Sequence, residues 1–326
     1  MKRLLWIFMA VAVTGCTATP ETPADAEPAD AAPAVRVTTA VTVTPAENQA
    51  ALLEHPDPRL AANKQIAYDF FRIVLRGQQL DQAADFMAED YIQHNPNANT
   101  GLDGFLAYFE EFGGGPQEVP EELPGLVAIQ AEDDLVTLSF VREYPEPADE
   151  NQTYTTTWFD MFRIADGKIV EHWDTATKGG DTPNPTTAVT VTPGDNQAAM
   201  LDHSDPTLAA NKRLAYDFFR IVLRGQQLNQ AADFMAEDYI QHNPNADTGL
   251  AGFLAYFEQF GGGPQEVPED LPGLIAIQAE DDLVTLSFVR EYPEPGAPDD
   301  TYTTTWFDMF RIADGKIIEH WDPATK

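Results

Sequence analysis

Residues 38–178 return as residues 186–326 at a constant offset of 148, with no insertion or deletion, and 21 of the 141 aligned positions differ. A period this long exceeds any solenoid unit, so the chain carries a duplicated domain. Whatever one copy folds into, the other folds into as well, and any site occurs twice. Between the copies runs Gly179 to Pro185 (GGDTPNP), a polar Gly/Pro stretch that suits a linker. The expected domains are 46–178 and 194–326, with the linker over 179–193.

Within the first copy, Leu60 to Gly77 reads as a helix, because Ile66, Phe70, Ile73 and Val74 form one apolar stripe. Asp81 to Met87 suits a short second helix, and Tyr91 to Pro96 an extended piece stopped by Asn95-Pro96. A third helix is expected from Thr100, with Leu102, Phe105, Leu106, Phe109 and Phe112 on its buried side, ending at Gly113 to Pro116. Strands follow at Leu126 to Gln130, at Leu135 to Tyr144, and in a hairpin from Thr156 to Asp174. Three helices followed by a long, mostly antiparallel sheet make an α+β fold, with a concavity between the layers where a small ligand can sit.

The hairpin carries the sharpest chemical signal. Asp160 is an acid in a strand of aromatic and aliphatic residues, on the face shared by Trp158, Phe162 and Ile164. An acid there suits proton exchange with a carbon acid or hydroxyl. His172 on the return strand depends on the turn at Asp166-Gly167. A three-residue turn (Ala165-Asp166-Gly167) sets Asp160 opposite His172, and a two-residue turn sends His172 to the other face. The three-residue form is preferred, since Ala165 tolerates the right-handed position. His94 follows Tyr91 in a segment expected to pass the cavity mouth, where it could assist Asp160. Copy two repeats the set as Asp308, His320 and His242. Tyr91, Trp158 and Phe105, with Tyr239, Trp306 and Phe253, are the expected pocket wall. Arg142 shares strand register with Leu138 and Phe140, where it either pairs with an acid at the rim or meets an anionic ligand.

No HExxH, cysteine-rich spacing or helix-opening glycine loop occurs in the sequence, so neither a metal nor a cofactor is expected. A net charge of −34 repels phosphate backbones and argues against nucleic-acid binding.

The succession YIQHNP (residues 91–96), the GF-x-x-YF run of the third helix and FDMFRIADGKIVEHWD (159–174) resembles the SnoaL-like family, within the nuclear-transport-factor-two-like superfamily. The resemblance covers roughly 58–178 and 206–326, and implies two cone-shaped α+β barrels. It also implies that the acid of the FD motif, Asp160 and Asp308 here, acts as general acid/base in the cyclase branch. A histidine on the preceding strand often accompanies that acid. This chain has Ser139 and Val141, and Ser287 and Val289, where it would be sought. Domains of this superfamily often pair through the outer face of the sheet, so the resemblance implies an internal pseudo-dimer, the alternative being two independent domains on a Gly/Pro string.

The first residues address the chain. Met1-Lys2-Arg3, the apolar run Leu4 to Val13 and Val13-Thr14-Gly15-Cys16 read as a signal peptide (1–16) and resemble the bacterial lipobox, with Cys16 as lipid attachment point. Residues 17–45 are Ala-, Pro- and Thr-rich and read as a flexible tether. If the lipobox resemblance holds, it implies the outer membrane, since Thr17 stands in place of the aspartate that favours inner-membrane retention. Two functions are then expected for this envelope-anchored protein. One is a cofactor-free lyase, isomerase or cyclase acting on a small apolar carbonyl or hydroxy compound. The other is a non-catalytic module that binds a small apolar ligand or an envelope partner.

Overall fold

Asp57 starts the first long helix by accepting the Arg59 amide, with Pro58 at the first helical position, where no donor is needed. In the computed structural model, which describes residues 38–112, 114–179 and 186–326, this helix is α2 (Pro58–Asp69), preceded by a single turn α1 (Gln49–Leu52). It continues as a wider π-helical stretch, Phe70–Arg76, and stops at Gly77, where a Cβ would lie 2.6 Å from the Ile73 carbonyl. A 3₁₀ turn (Leu80–Gln82), α3 (Ala83–Phe86), β1 (Met87–Gln93) and α4 (Leu102–Phe112) follow. The chain then enters β2 (Leu126–Glu132), β3 (Leu135–Glu146), β4 (Asp149–Ala165) and β5 (Lys168–Asp174). The expected leader (1–16) and the first part of the expected tether (17–37) lie outside the described residues.

The five strands form one mixed sheet in the order β1-β5-β4-β3-β2, parallel between β1 and β5 and antiparallel elsewhere. Copy two repeats it as α5 (Gln197–Met200), α6 (Pro206–Asp217), α7 (Ala231–Phe234), β6 (Met235–Gln241), α8 (Gly249–Glu258), β7 (Leu274–Glu280), β8 (Leu283–Glu294), β9 (Ala297–Ala313) and β10 (Lys316–Trp321). The α+β expectation and the two domains hold. Alternation sorts the side chains: Val136, Leu138, Phe140, Phe162, Ile164 and Ile169 face inward and pack on Phe70, Phe71, Val74 and Phe105 from the helices.

The β4–β5 turn is not the preferred three-residue form, and the register beyond it differs from both expectations. Asp166 (φ 50°) and Gly167 (φ 73°) are both left-handed, so the turn is the two-residue type, with Ala165 facing Lys168 and Ile164 facing Ile169. The pairing then slips by one: Arg163 faces Glu171, leaving Val170 as an extra residue in β5. Asp160 therefore stands opposite Asp174, not His172, and His172 stands opposite Phe162. The bulge reverses the phase that the short turn would have imposed. It keeps His172 and Asp174 on the inner face and sends Trp173 outward.

Outer-face residues of the two sheets meet in one apolar cluster of Phe159, Met161 and Trp173 with Phe307, Met309 and Trp321. The Phe159 and Phe307 rings stack at 5.2 Å. Two stretches expected to be tether and linker are part of this arrangement. Residues 38–43 lie along copy two, where Val41 N–H donates to the Gln241 carbonyl and Thr38 Oγ1 to that of Pro244. Residues 186–191 lie in the same way along copy one, through Gln93 and Pro96. Val43 and Val191 are buried in the shared cluster, which explains why these segments belong to the repeat. Two reciprocal ion pairs, Lys64 with Glu280 and Lys212 with Glu132, are buried between the copies.

Removing one partner of such a pair strands the other charge out of water. Lys64→Met is expected to cost about 3–5 kcal/mol in urea denaturation. Lys64→Met with Glu280→Gln, which keeps an acceptor for the Ala131 amide, should recover most of that loss. Equal stability of the single variant and the parent would contradict a shared buried core.

Candidate active site

Gln93 is the last residue of β1, and its neighbours fix its amide. A backbone N–H can only donate, so the atom that takes the Asn95 amide at 2.9 Å is the Gln93 oxygen. The Gln93 nitrogen then donates to the Tyr91 hydroxyl oxygen at 2.9 Å. His172 Nδ1 lies 3.0 Å from that same Gln93 oxygen, and Nε2 lies 3.0 Å from Asp160 Oδ1. Both ring nitrogens thus face acceptors, and both must carry a proton to bond. The arrangement specifies an imidazolium.

The electrostatics agree in direction. Burial alone pushes the His172 pKa down, but the hydrogen bond to Asp160 and the charges of Asp174 and Asp160 outweigh it and leave His172 above its ordinary value. A raised histidine contributes stability that is fully present below its unfolded pKa and is lost as pH rises through the folded one. Asp174 closes the cluster. Its Oδ2 accepts from Asn95 Nδ2 at 2.6 Å and its Oδ1 from the Ala176 amide at 3.0 Å. Burial, with Asp160 nearby, raises its pKa against the opposing pull of His172. The His172 ring also stacks on Phe162 at 4.8 Å, which fixes its plane.

Copy two reproduces the network. His320 lies 3.0 Å from Asp308 Oδ1 and 3.1 Å from the Gln241 oxygen, and Asn243 holds Asp322 at 2.7 Å.

The expected site residues divide into three groups. Asp160 and His172 are brought together, by the bulge and not by the expected turn. His94 is not brought to them. It sits on the outer face, stacked on Trp173 at 5.0 Å, with Nε2 on Glu171 at 2.8 Å and Nδ1 on the Val189 carbonyl at 2.7 Å. His242 does the same with Trp321, Glu319 and Val41. These histidines anchor the crossing segments. Of the expected pocket aromatics, Tyr91 and Phe105 (Tyr239 and Phe253) are buried in the core, whereas Trp158 and Trp306 are partly exposed. Gln93, Asn95 and Asp174 were not foreseen. Their sequence signal was a polar residue two positions from a buried one in each strand, at Tyr91 and at His172.

Ser139 and Val141 also lie on the outer face, Ser139 opposite Phe159 and beside Met309. Their inward neighbours on β3 are Leu138, Phe140 and Arg142. A histidine at 139 or 141 would not face Asp160, so its absence removes nothing from this site.

Ligand atoms of Asp160, His172 and Asp174 all lie within 4.8 Å of one another, as do those of Asp308, His320 and Asp322. A cation there would have to displace the Nε2 proton already bound to Asp160. The donor set as arranged suits a shared proton better than a metal. Asp160 Oδ2 has no hydrogen-bond partner among the described residues, and the side chain keeps 9% exposure, so one carboxylate oxygen is left for a ligand.

Replacing Gln93 by Leu, with Gln241→Leu in the other copy, removes the Nδ1 acceptor and orphans the Asn95 amide. The expected outcome is a lower His172 pKa in an NMR pH titration and a stability loss of about 1–3 kcal/mol. An unchanged titration would show that Gln93 does not hold the ring proton.

The chain is similar to several known proteins. No curated protein matches the chain in sequence. Similar solved structures include IdmH of Streptomyces antibioticus, described as a polyketide cyclase (19% identity, 35% of this chain, 90% of that one, TM-score 0.26). A SnoaL-like protein of Jannaschia sp. shares 15% identity over 37% of this chain and 90% of its own, with a TM-score of 0.27. An epoxide hydrolase-like protein of Mycobacterium tuberculosis shares 13% over 36% and 84%, also with a TM-score of 0.27. The SnoaL-like domain family matches residues 67–172 and 215–320, about two thirds of the chain and once in each copy, and the protein belongs to that family.

Proposed function

We propose that each copy is a cofactor-free acid–base site that moves a proton on a small, largely apolar carbonyl or hydroxy compound, as a lyase, isomerase or cyclase does. The observation that carries this reading is the Asp160–His172 bond, with Oδ1 held and Oδ2 open. Asp160 is the group that takes a proton from a carbon beside a carbonyl and returns it elsewhere. His172 is a positioning residue. It fixes the carboxylate's rotation and, as a cation, offsets its charge in a dry setting. Gln93 and Asn95 hold His172 and Asp174 in turn. The cyclase- and hydrolase-named relatives are consistent with this class.

The two copies act as an internal pseudo-dimer in this reading. Its support is the shared apolar cluster, the reciprocal ion pairs and the exchange of segments 38–43 and 186–191. The leader sequence supports anchoring at the outer membrane through a lipid on Cys16. Radiolabelled palmitate should mark the protein and should fail to mark Cys16→Ser. A labelled serine variant would exclude that anchor.

Catalysis is tested by incorporation of solvent deuterium beside the carbonyl of a panel of cyclic ketones, followed by NMR. Asp160→Asn with Asp308→Asn should slow exchange by about 10²–10⁴-fold. In the parent, exchange should decline as pH rises through the raised His172 pKa, because the cation that supports Asp160 is lost. Ligand retention with equal exchange in parent and double variant would favour the non-catalytic binding module.

A further inference from the structure

Asp174 is the last residue of β5, and its pairing with Asp160 is the last rung of the β4–β5 ladder. β4 itself runs back beyond that rung to Asp149, so the acid that closes the polar cluster stands where its own strand runs out. A strand end without further ladder bonds frays unless something else ties it down. Copy one ties it with side chains: Asn95 holds the Asp174 carboxylate at 2.6 Å, and Asn97 Nδ2 donates to the Thr177 carbonyl at 3.3 Å. The backbone of Asp174 is taken by copy two. Thr304 Oγ1, on β9, donates to the Asp174 carbonyl at 3.2 Å. Four residues on, Lys178 N–H donates to the Tyr302 hydroxyl oxygen at 3.0 Å, and Lys178 Nζ pairs with Glu294 at 2.7 Å. Copy one returns the arrangement. Thr156 Oγ1 donates to the Asp322 carbonyl at 3.0 Å, with the Thr157 amide on the same oxygen at 3.3 Å. Lys326 N–H donates to the Tyr154 hydroxyl oxygen at 3.0 Å, and its ammonium pairs with Glu146.

Thr156 and Thr304 are buried, as are Asp174 and Asp322. Losing the hydroxyl in such a place leaves a carbonyl that water does not reach to satisfy. Adhesion between the copies is served by the lysine and tyrosine contacts at the end of each tail. The threonine bond instead falls on the residue whose carboxylate lies within 4.8 Å of His172 and Asp160. Each threonine also stands four residues before the acid of its own strand, Asp160 or Asp308. One strand thus carries the acid of its own site and a support for the other.

We infer that Thr304 is a positioning residue of the copy-one site and Thr156 of the copy-two site, so that neither site is complete without the other copy. This rests on the site assignment proposed above, to which it adds residues that act through Asp174 and Asp322. Without the Thr304 hydroxyl the end of β5 draws away from β4, and the Asp174 carboxylate moves with it. Asp174 is one of the charges that hold the His172 pKa up, so its displacement reads out at His172.

NMR pH titration of the full chain tests this. Thr304→Val, which keeps the shape and removes the hydroxyl, should lower the His172 pKa by about half a unit and leave His320 where it is. Thr156→Val should do the reverse. Thr304→Ser, which keeps the donor, should retain the parent titration of His172. Thr304→Cys, a weaker donor, gives the same reading to a lesser degree should the valine variant fail to fold. With Asp308→Asn silencing copy two, Thr304→Val should also slow deuterium exchange by about tenfold. Unmoved histidines, a shift of both together, or a shift confined to the copy that carries the substitution would each overturn the inference. Crossed shifts in a protein without deuterium exchange would overturn the proposed reaction alone.

Discussion

The site depends on one extra residue in β5. Ile169 points into the core, and strict alternation from there would place Glu171 and Trp173 inside and His172 outside. The bulge at Val170 shifts the phase, so that His172 and Asp174 turn inward to Asp160 while Trp173 joins the apolar contact between the copies. One backbone irregularity thereby builds both the polar cluster and the surface on the opposite face. In copy two, Ile318 occupies the same place, and the register slips between Ile317 and Glu319. The branched side chain is conservative there, and the displacement is one of backbone pairing.

From that phase follows a division of labour between the faces. Inward lies a small bonded polar cluster: His172 sits between Asp160 and Gln93, and Asp174 between Asn95 and the Ala176 amide. Such a network is favourable only when complete, because a buried polar group without a partner costs more than a bond contributes. Outward, the histidine of β1's end serves adhesion. His94 binds the Val189 carbonyl of the crossing segment, and His242 binds that of Val41. Each domain therefore completes its outer surface with a strand of chain from the other, and duplication supplies both halves of the exchange.

Much of this was legible beforehand. The offset of 148 gave the domains, the apolar stripe gave the long helix, and alternation in β4 put Asp160 on the inner face. Residue pattern could not show the bulge, because Val170 carries no signature of one. Asp-Gly suits either turn, so the correct pairing of His172 with Asp160 was reached through the wrong register. His94 misled because the chain leaves β1 at Gln93, and the next residue falls on the far side of the sheet. The crossing segments were unreadable for a different reason. Short Thr/Val/Pro stretches have too little apolar surface to fold alone, and only the second copy gives Val43 and Val191 somewhere to be buried.

The central claim is that the fold holds His172 and His320 as cations between two acceptors. The most direct measurement is ¹⁵N NMR of the imidazole nitrogens in the folded protein at about pH 7, where a free histidine is mostly neutral. Assignment would use His172→Gln and His320→Gln variants. The account predicts that both nitrogens of each ring show the protonated shift. One nitrogen in each ring with the shift of a bare lone pair would contradict it.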